Sequence, residues 1–311
     1  MKIFISVASY CDKLLFFTIK DAIAKAQNPE NIMFGIVDQN DKTQKDIIDL
    51  LAFAKQIKYV YINKLDTLGV SWARNIAFSL FDNEEYLLQI DSHMMFMQNW
   101  DEILIQQHTD LLKIAKKPII STYPYDFHFD ENEEIVFKEH SSEYVLELRP
   151  HPDTTLEEES AVLRFRAEHN KSSTPVHGCH MAAGFIFTNG NFIEEVPYDP
   201  YLYFHGEEQS LSIRSYTKGW DIYHPNLIPL YHNYKITKTN YTTHHWNKDV
   251  DTKRVLSSTY LKERATQRIN RLFYEDGMKN SIYGLGNVRT LDEYIRFSGI
   301  DYKNRVIKSN D

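Results

Sequence analysis

A chain of 311 residues with 42% hydrophobic and 25% charged side chains has the make-up of an ordinary globular protein, long enough for one large α/β domain or two smaller ones. Its net charge of −8, with basic residues scattered along the chain, excludes nucleic acid as the main partner, since phosphate binding wants a basic stripe. No apolar run is long enough for a transmembrane segment, the run in MKIFISVASYCDK is too short for a secretory signal, and two cysteines, Cys11 and Cys179, are too few for a disulfide framework, so the expected location is cytoplasmic.

In chain order, Lys2 to Ala8 predicts a strand and Ser9 to Asp12 a loop, with Asp12 placed to cap a helix from Lys13 to about Ala26. Asn31 to Asp38 predicts a second strand, Thr43 to Lys55 a helix, and Ile57 to Ile62 a third strand. Gly69 opens a further helix, GVSWARNIAFSLF, and Tyr86 to Ile90 is a fourth strand. Four strands alternating with helices over short loops imply a parallel sheet with right-handed crossovers and strand tips gathered on one edge. A nucleotide at that edge is the default expectation, although neither GxGxxG nor GxxxxGK[ST] is present.

The fourth strand ends in Asp91-Ser92-His93. Two residues apart in extended chain, Asp91 and His93 point to the same side, so a carboxylate oxygen and an imidazole nitrogen can grip one divalent cation, manganese before calcium. The alternative is that Asp91 caps a turn and His93 is a surface residue. Ser9, Tyr10, Asp38 and Gln39 lie at the same edge and are candidates for uracil and ribose, or simply turn formers. Arg74, on the helix after the third strand, either donates to a diphosphate or pairs with Asp91 or a surface carboxylate.

Trp100 to Lys116 predicts a helix and Pro118 to Tyr123 a strand. Residues 124–175 are polar with two acidic blocks and read as a substrate-facing insertion, with short strands near Glu134–Lys138 and Ala161–Ala167. His180 to Thr188 predicts a strand whose small residues, Ala183 and Gly184, permit close approach to a ligand. Gly206 leads into a helix with Glu207 and Glu208 in its first turn. The helix macrodipole alone explains two carboxylates there, and they are also the carboxylates best placed for catalysis. Short strands follow at Trp220–Tyr223 and Ile228–His232, and helices at Val255–Phe273 and Leu291–Phe297. His177, Cys179 and His180 lack a fourth ligand at a zinc spacing. Asn170-Lys171-Ser172 and Asn240-Tyr241-Thr242 fit the glycosylation sequon and are read as chance.

Several stretches resemble the polypeptide hydroxyproline α-N-acetylglucosaminyltransferases: Ile3–Asp12, Asn28–Gln39, Gly69–Asn75, Glu85–Asp101 with its Q-I-D-S-H core, Gly184–Phe187, the H-G-E-E at His205, and Tyr283–Asp301. More distantly, AAGFIF and HGEEQSLSIR look like segments of the mucin-type polypeptide GalNAc-transferases. The resemblance implies a GT-A fold, a D-x-H metal site loaded with Mn2+ or Mg2+, and a UDP-sugar donor, UDP-GlcNAc foremost. It also implies a third metal ligand downstream of the glutamate helix. His232, 25 positions after Glu207, matches that placement, in preference to His224, His244 and His245. Where the family has an arginine, this chain has Cys11, and the middle insertion has no counterpart.

The expectation is a metal-dependent retaining glycosyltransferase acting on a hydroxyl of a protein or saccharide acceptor. Residues 1–250 would form the GT-A domain, with a nucleotide half at 1–123 and an acceptor and sugar half at 124–250, and 251–311 a helical extension. The metal ligands would be Asp91, His93 and His232, with Glu207 ahead of Glu208 in an orienting and electrostatic role. The alternatives are a transferase using another UDP-sugar to extend a surface polysaccharide, and a non-catalytic sugar-binding module.

Overall fold

A computed structural model describes residues 1–139, 141–234 and 244–308; the sequon at Asn240-Tyr241-Thr242 lies outside them. The first half follows the predicted alternation. Strand β1 is Ile3–Tyr10, helix α1 Leu15–Lys25, β2 Ile32–Asn40, α2 Lys45–Asp49, β3 Ile57–Asn63, α3 Val70–Phe78 and β4 Tyr86–Asp91. β1 lies between β2 and β4, all parallel, with Ala8 opposite Asp91 and Ser9 opposite Asp38. β1 and β4 are buried almost throughout, as strands covered on both faces must be.

After β4 the chain makes β5 (Met94–Phe96), α4 (Trp100–Leu111), β6 (Pro118–Ser121), β7 (Tyr125–Phe129), β8 (Ile135–Phe137), β9 (Tyr144–Pro150), β10 (Phe165–Lys171), β11 (Val176–Gly178), β12 (Phe185–Asn189) and the short α5 (Phe192–Glu195). Then come α6 (Glu207–Thr217), β13 (Asp221–His224), β14 (Leu230–His232), α7 (Lys248–Asp251), α8 (Ser258–Tyr274), α9 (Leu291–Ser298) and the pair β15 (Ile300–Asp301) and β16 (Val306–Ile307). The main sheet has the order β11-β13-β6-β12-β4-β1-β2-β3. β12 runs antiparallel between β4 and β6, so the sheet is mixed on that side. A small sheet, β5-β14-β7-β8, sits beyond the tip of β4.

Two expectations are corrected. The helix over Thr43–Lys55 is only Lys45–Asp49, followed by turns. A straight helix cannot bury Ile48 and also bring Phe53 onto Phe34; the chain turns instead, leaving Ile47 and Leu50 exposed. The strand near Ala161–Ala167 starts only at Phe165, because the backbone N–H groups of Ala161 and Leu163 are taken by the side chains of Asn270 and Gln209, which leaves no ladder.

The core beneath the main sheet is built from Ile5, Val7, Leu88, Ile90 and Phe185 with Trp100. A second core joins α6 to the C-terminal helices through Tyr203, Ile213, Leu261, Ile269 and Tyr294. Among the described residues no helix is long and apolar enough to cross a membrane.

Candidate active site

The site lies at the tip of β4. Asp91 ends the strand, and His93 stands two residues on, before β5. His232 is distant in sequence but ends β14, which pairs antiparallel with β5 so that His232 faces Met94, and the Asn233 N–H donates to the His93 carbonyl at 3.1 Å. One ligand atom each from Asp91, His93 and His232 lies within 4.8 Å of the others. His93 Nε2 is 3.0 Å from His232 Nε2, and His232 Nε2 is 3.2 Å from Asp91 Oδ2. A single N–H on His232 Nε2 can serve only one of these two contacts, whereas a cation between the three atoms would take a lone pair from each. A carboxylate with two imidazoles therefore fits a divalent ion of the manganese or zinc kind. His177, Cys179 and His180 form no such cluster among the described residues.

Arg74, on α3, donates from Nη2 to Asp91 Oδ1 at 2.6 Å and from Nη1 to Glu207 Oε1. Arg74 is thus paired with both carboxylates, and its Nε has no hydrogen-bond partner. Burial opposes ionisation of Asp91, but the His232 hydrogen bond and the Arg74 charge outweigh it and hold its carboxyl well below the usual range. For Glu207, burial outweighs the pull of Arg74 and raises its carboxyl above the usual value.

Glu208, one residue on, turns to the other side of the cleft. Its Oε1 accepts the Ala183 N–H at 2.8 Å and its Oε2 the Tyr123 hydroxyl at 3.1 Å, with His180 Nε2 at 3.7 Å. Ala183 therefore reaches the site through its backbone. Gly184 packs on Asp91, where a Cβ would stand 2.6 Å from Oδ2. Arg74, Asp91, Gly184, Glu207 and Glu208 line one cleft of about 380 Å³, together with Leu163 and Phe165. That volume is in the range of small-ligand sites.

The other predicted residues sit at the same sheet edge but are engaged by the protein. Asp38 is buried and accepts from the Tyr59 hydroxyl at 2.8 Å and from Gln44 Nε2 at 3.1 Å. Gln39 donates to the Ser9 carbonyl at 3.1 Å and accepts from Thr67. Ser9 is buried with its hydroxyl unpartnered. The Tyr10 ring packs edge-on against His245.

Three residues were not anticipated at the site: Tyr123 and His180, which flank Glu208, and Asp12. Asp12 was expected to cap α1; its Oδ1 does accept the Leu14 N–H at 2.8 Å, while its Oδ2 reaches Ser92 and His93. The signal for Asp12 was present, since a parallel β1–β4 pair sets the loop after Tyr10 beside the loop after Asp91.

A family model described as Glycosyltransferase (GlcNAc) matches residues 2–52 and 42–304. No curated protein matches the sequence. Among solved structures, GalNAc-T7 with UDP, GalNAc and Mn2+ is similar at a TM-score of 0.58 and 16% identity, over 96% of this chain and 55% of that one. The chain thus spans about half the length of that structure. TarS 1–349 of S. aureus in complex with UDP-GlcNAc is similar at a TM-score of 0.44 and 13% identity, over 97% of this chain and 80% of that one. The fold is the GT-A fold expected from sequence.

Proposed function

The chain belongs to the Glycosyltransferase (GlcNAc) family, and from that premise we propose that it is a divalent-metal-dependent retaining transferase that moves a sugar, GlcNAc from UDP-GlcNAc foremost, onto a hydroxyl of a protein or saccharide acceptor. The observation that carries this reading is the convergence of Asp91, His93 and His232 within 4.8 Å at a sheet tip, next to a cleft sized for a small ligand. The complex of GalNAc-T7 with UDP, GalNAc and Mn2+ supports a UDP-sugar donor and a divalent ion. This reading includes the resemblance to the hydroxyproline GlcNAc-transferases, and two free cysteines suit a reducing, cytoplasmic setting.

Asp91, His93 and His232 would hold the ion, preferentially Mn2+, and when bound it supplies Lewis-acid neutralisation of the diphosphate leaving group. The rest is the work of the chain. Arg74 fixes the Asp91 carboxylate and pairs with Glu207 beside the cleft, which places Glu207 to orient the sugar and stabilise positive character at the anomeric centre. Because Arg74 already holds Glu207, attack of the acceptor on the face vacated by UDP fits better than a glutamyl intermediate. Glu208, fixed by Ala183 and Tyr123, positions a sugar or acceptor hydroxyl.

The test is release of UDP from a panel of UDP-sugars with and without Mn2+. The expected result is metal-dependent release, fastest with UDP-GlcNAc. No release from any UDP-sugar in the presence of Mn2+ would sink the reading.

A further inference from the structure

Asp12 reaches the proposed metal site from outside its ligand set. It is 7% exposed. Its Oδ1 accepts the Leu14 N–H at 2.8 Å, and its Oδ2 accepts the Ser92 hydroxyl at 2.7 Å and lies 2.6 Å from His93 Nδ1. An ionised carboxylate can only accept, so the hydrogen of the His93–Asp12 bond sits on Nδ1. In a neutral imidazole the other nitrogen is then bare. That nitrogen, Nε2, is the one directed at His232.

We infer that Asp12 is the positioning residue of the metal site: by accepting from Nδ1 it selects the His93 tautomer whose bare Nε2 can bind a cation. The inference rests on the metal reading of Asp91, His93 and His232. The surrounding backbone is built to hold this contact. Cys11 takes a left-handed turn, φ 50°, and its N–H donates to the Gln39 carbonyl at 2.9 Å, which ties the chain leaving β1 to β2 just before Asp12. Thr18 on α1 pins the chain on both sides of His93. Its hydroxyl lies 2.9 Å from the Ser92 carbonyl, 3.1 Å from the Met94 carbonyl and 2.9 Å from the Met94 N–H. The imidazole thus has a fixed place, and Asp12 sets which nitrogen carries the proton. Outer partners of this kind commonly tune metal affinity about 10- to 100-fold.

The test is Asp12→Asn. The amide keeps an oxygen for the Leu14 N–H and turns an N–H toward His93 Nδ1, which must now accept, so the hydrogen moves to Nε2. In the metal-free protein at pH 8.5, long-range proton–nitrogen NMR should show a bare Nε2 in the wild type and a protonated one in the variant. Calorimetry with Mn2+ alone should show binding weakened about 10- to 100-fold, with the melting transition retained. If Asp12→Asn does not fold, Asp12→Ala takes its place, with mixed tautomers and a similar loss expected. A variant that folds and keeps the wild-type tautomer, or binds Mn2+ as tightly as the wild type, overturns the inference. A wild type that binds no Mn2+ overturns the metal reading and the inference with it.

Discussion

The two walls of the site are held by opposite means. On the sheet-tip wall, beside the cleft, Asp91, His93 and His232 gather three metal-ligating atoms whose mutual contacts all run through His232 Nε2. On the helix wall, Glu207 and Glu208 are fully partnered, by Arg74 on one side and by Ala183 and Tyr123 on the other. The first wall has the donor set of a cation site; the second is satisfied by protein groups alone. Arg74 touches both and so joins them.

The sharpest way to break this contrast is Asp91→Asn. Turnover should fall roughly a thousandfold, and Mn2+-dependent UDP binding should vanish in calorimetry with little change in unfolding midpoint. Unchanged binding would mean that the two walls do not differ. Arg74→Ala should act the other way round. It leaves Glu207 buried without its counter-charge, for which a stability loss of about 3–5 kcal/mol is expected in urea unfolding.

A third measurement probes the scaffold behind the helix wall. His224 is fully buried. Its Nδ1 is 2.7 Å from the Ser121 carbonyl, and its Nε2 accepts the Leu148 N–H at 3.3 Å. Burial pushes its pKa down to about 4 from the usual 6.5. The unfolded chain takes up a proton that the folded one refuses, so this contribution is complete above pH 6.5 and is lost as pH falls from about 6.5 to about 4. The loss is about 3 kcal/mol. Melting followed across that window, with His224→Gln as the flatter reference, checks it. The smallest effect is expected from Gly184→Ala, whose added methyl would shift the Asp91 carboxylate. A displacement approaching about 1 Å there should lower turnover roughly a hundredfold while leaving urea unfolding nearly unchanged.

Much of the sheet-tip wall was legible in the sequence. The runs at Ile3, Ile32 and Tyr86 are buried on both faces and need no partner to be identified as strands, and a polar triplet ending such a run marks a strand tip. The distance from Asp91 to His232 was bridged by resemblance rather than by pattern, because β5 and β14 are three residues each and carry no periodicity. Glu207 and Glu208 were visible as a pair, but their opposite orientations were not, since these depend on Arg74 and Tyr123 arriving from other elements. The polar insertion hid β7 and β9, whose cover comes from distant residues rather than from their own composition.

The closing ligand comes late in the chain, and this orders assembly. Asp91 and His93 leave the ribosome well before His232, and β14 must dock on β5 before the third donor arrives. In the proposed metal reading, a chain that ends before β14 would carry two of the three donors and lack the third.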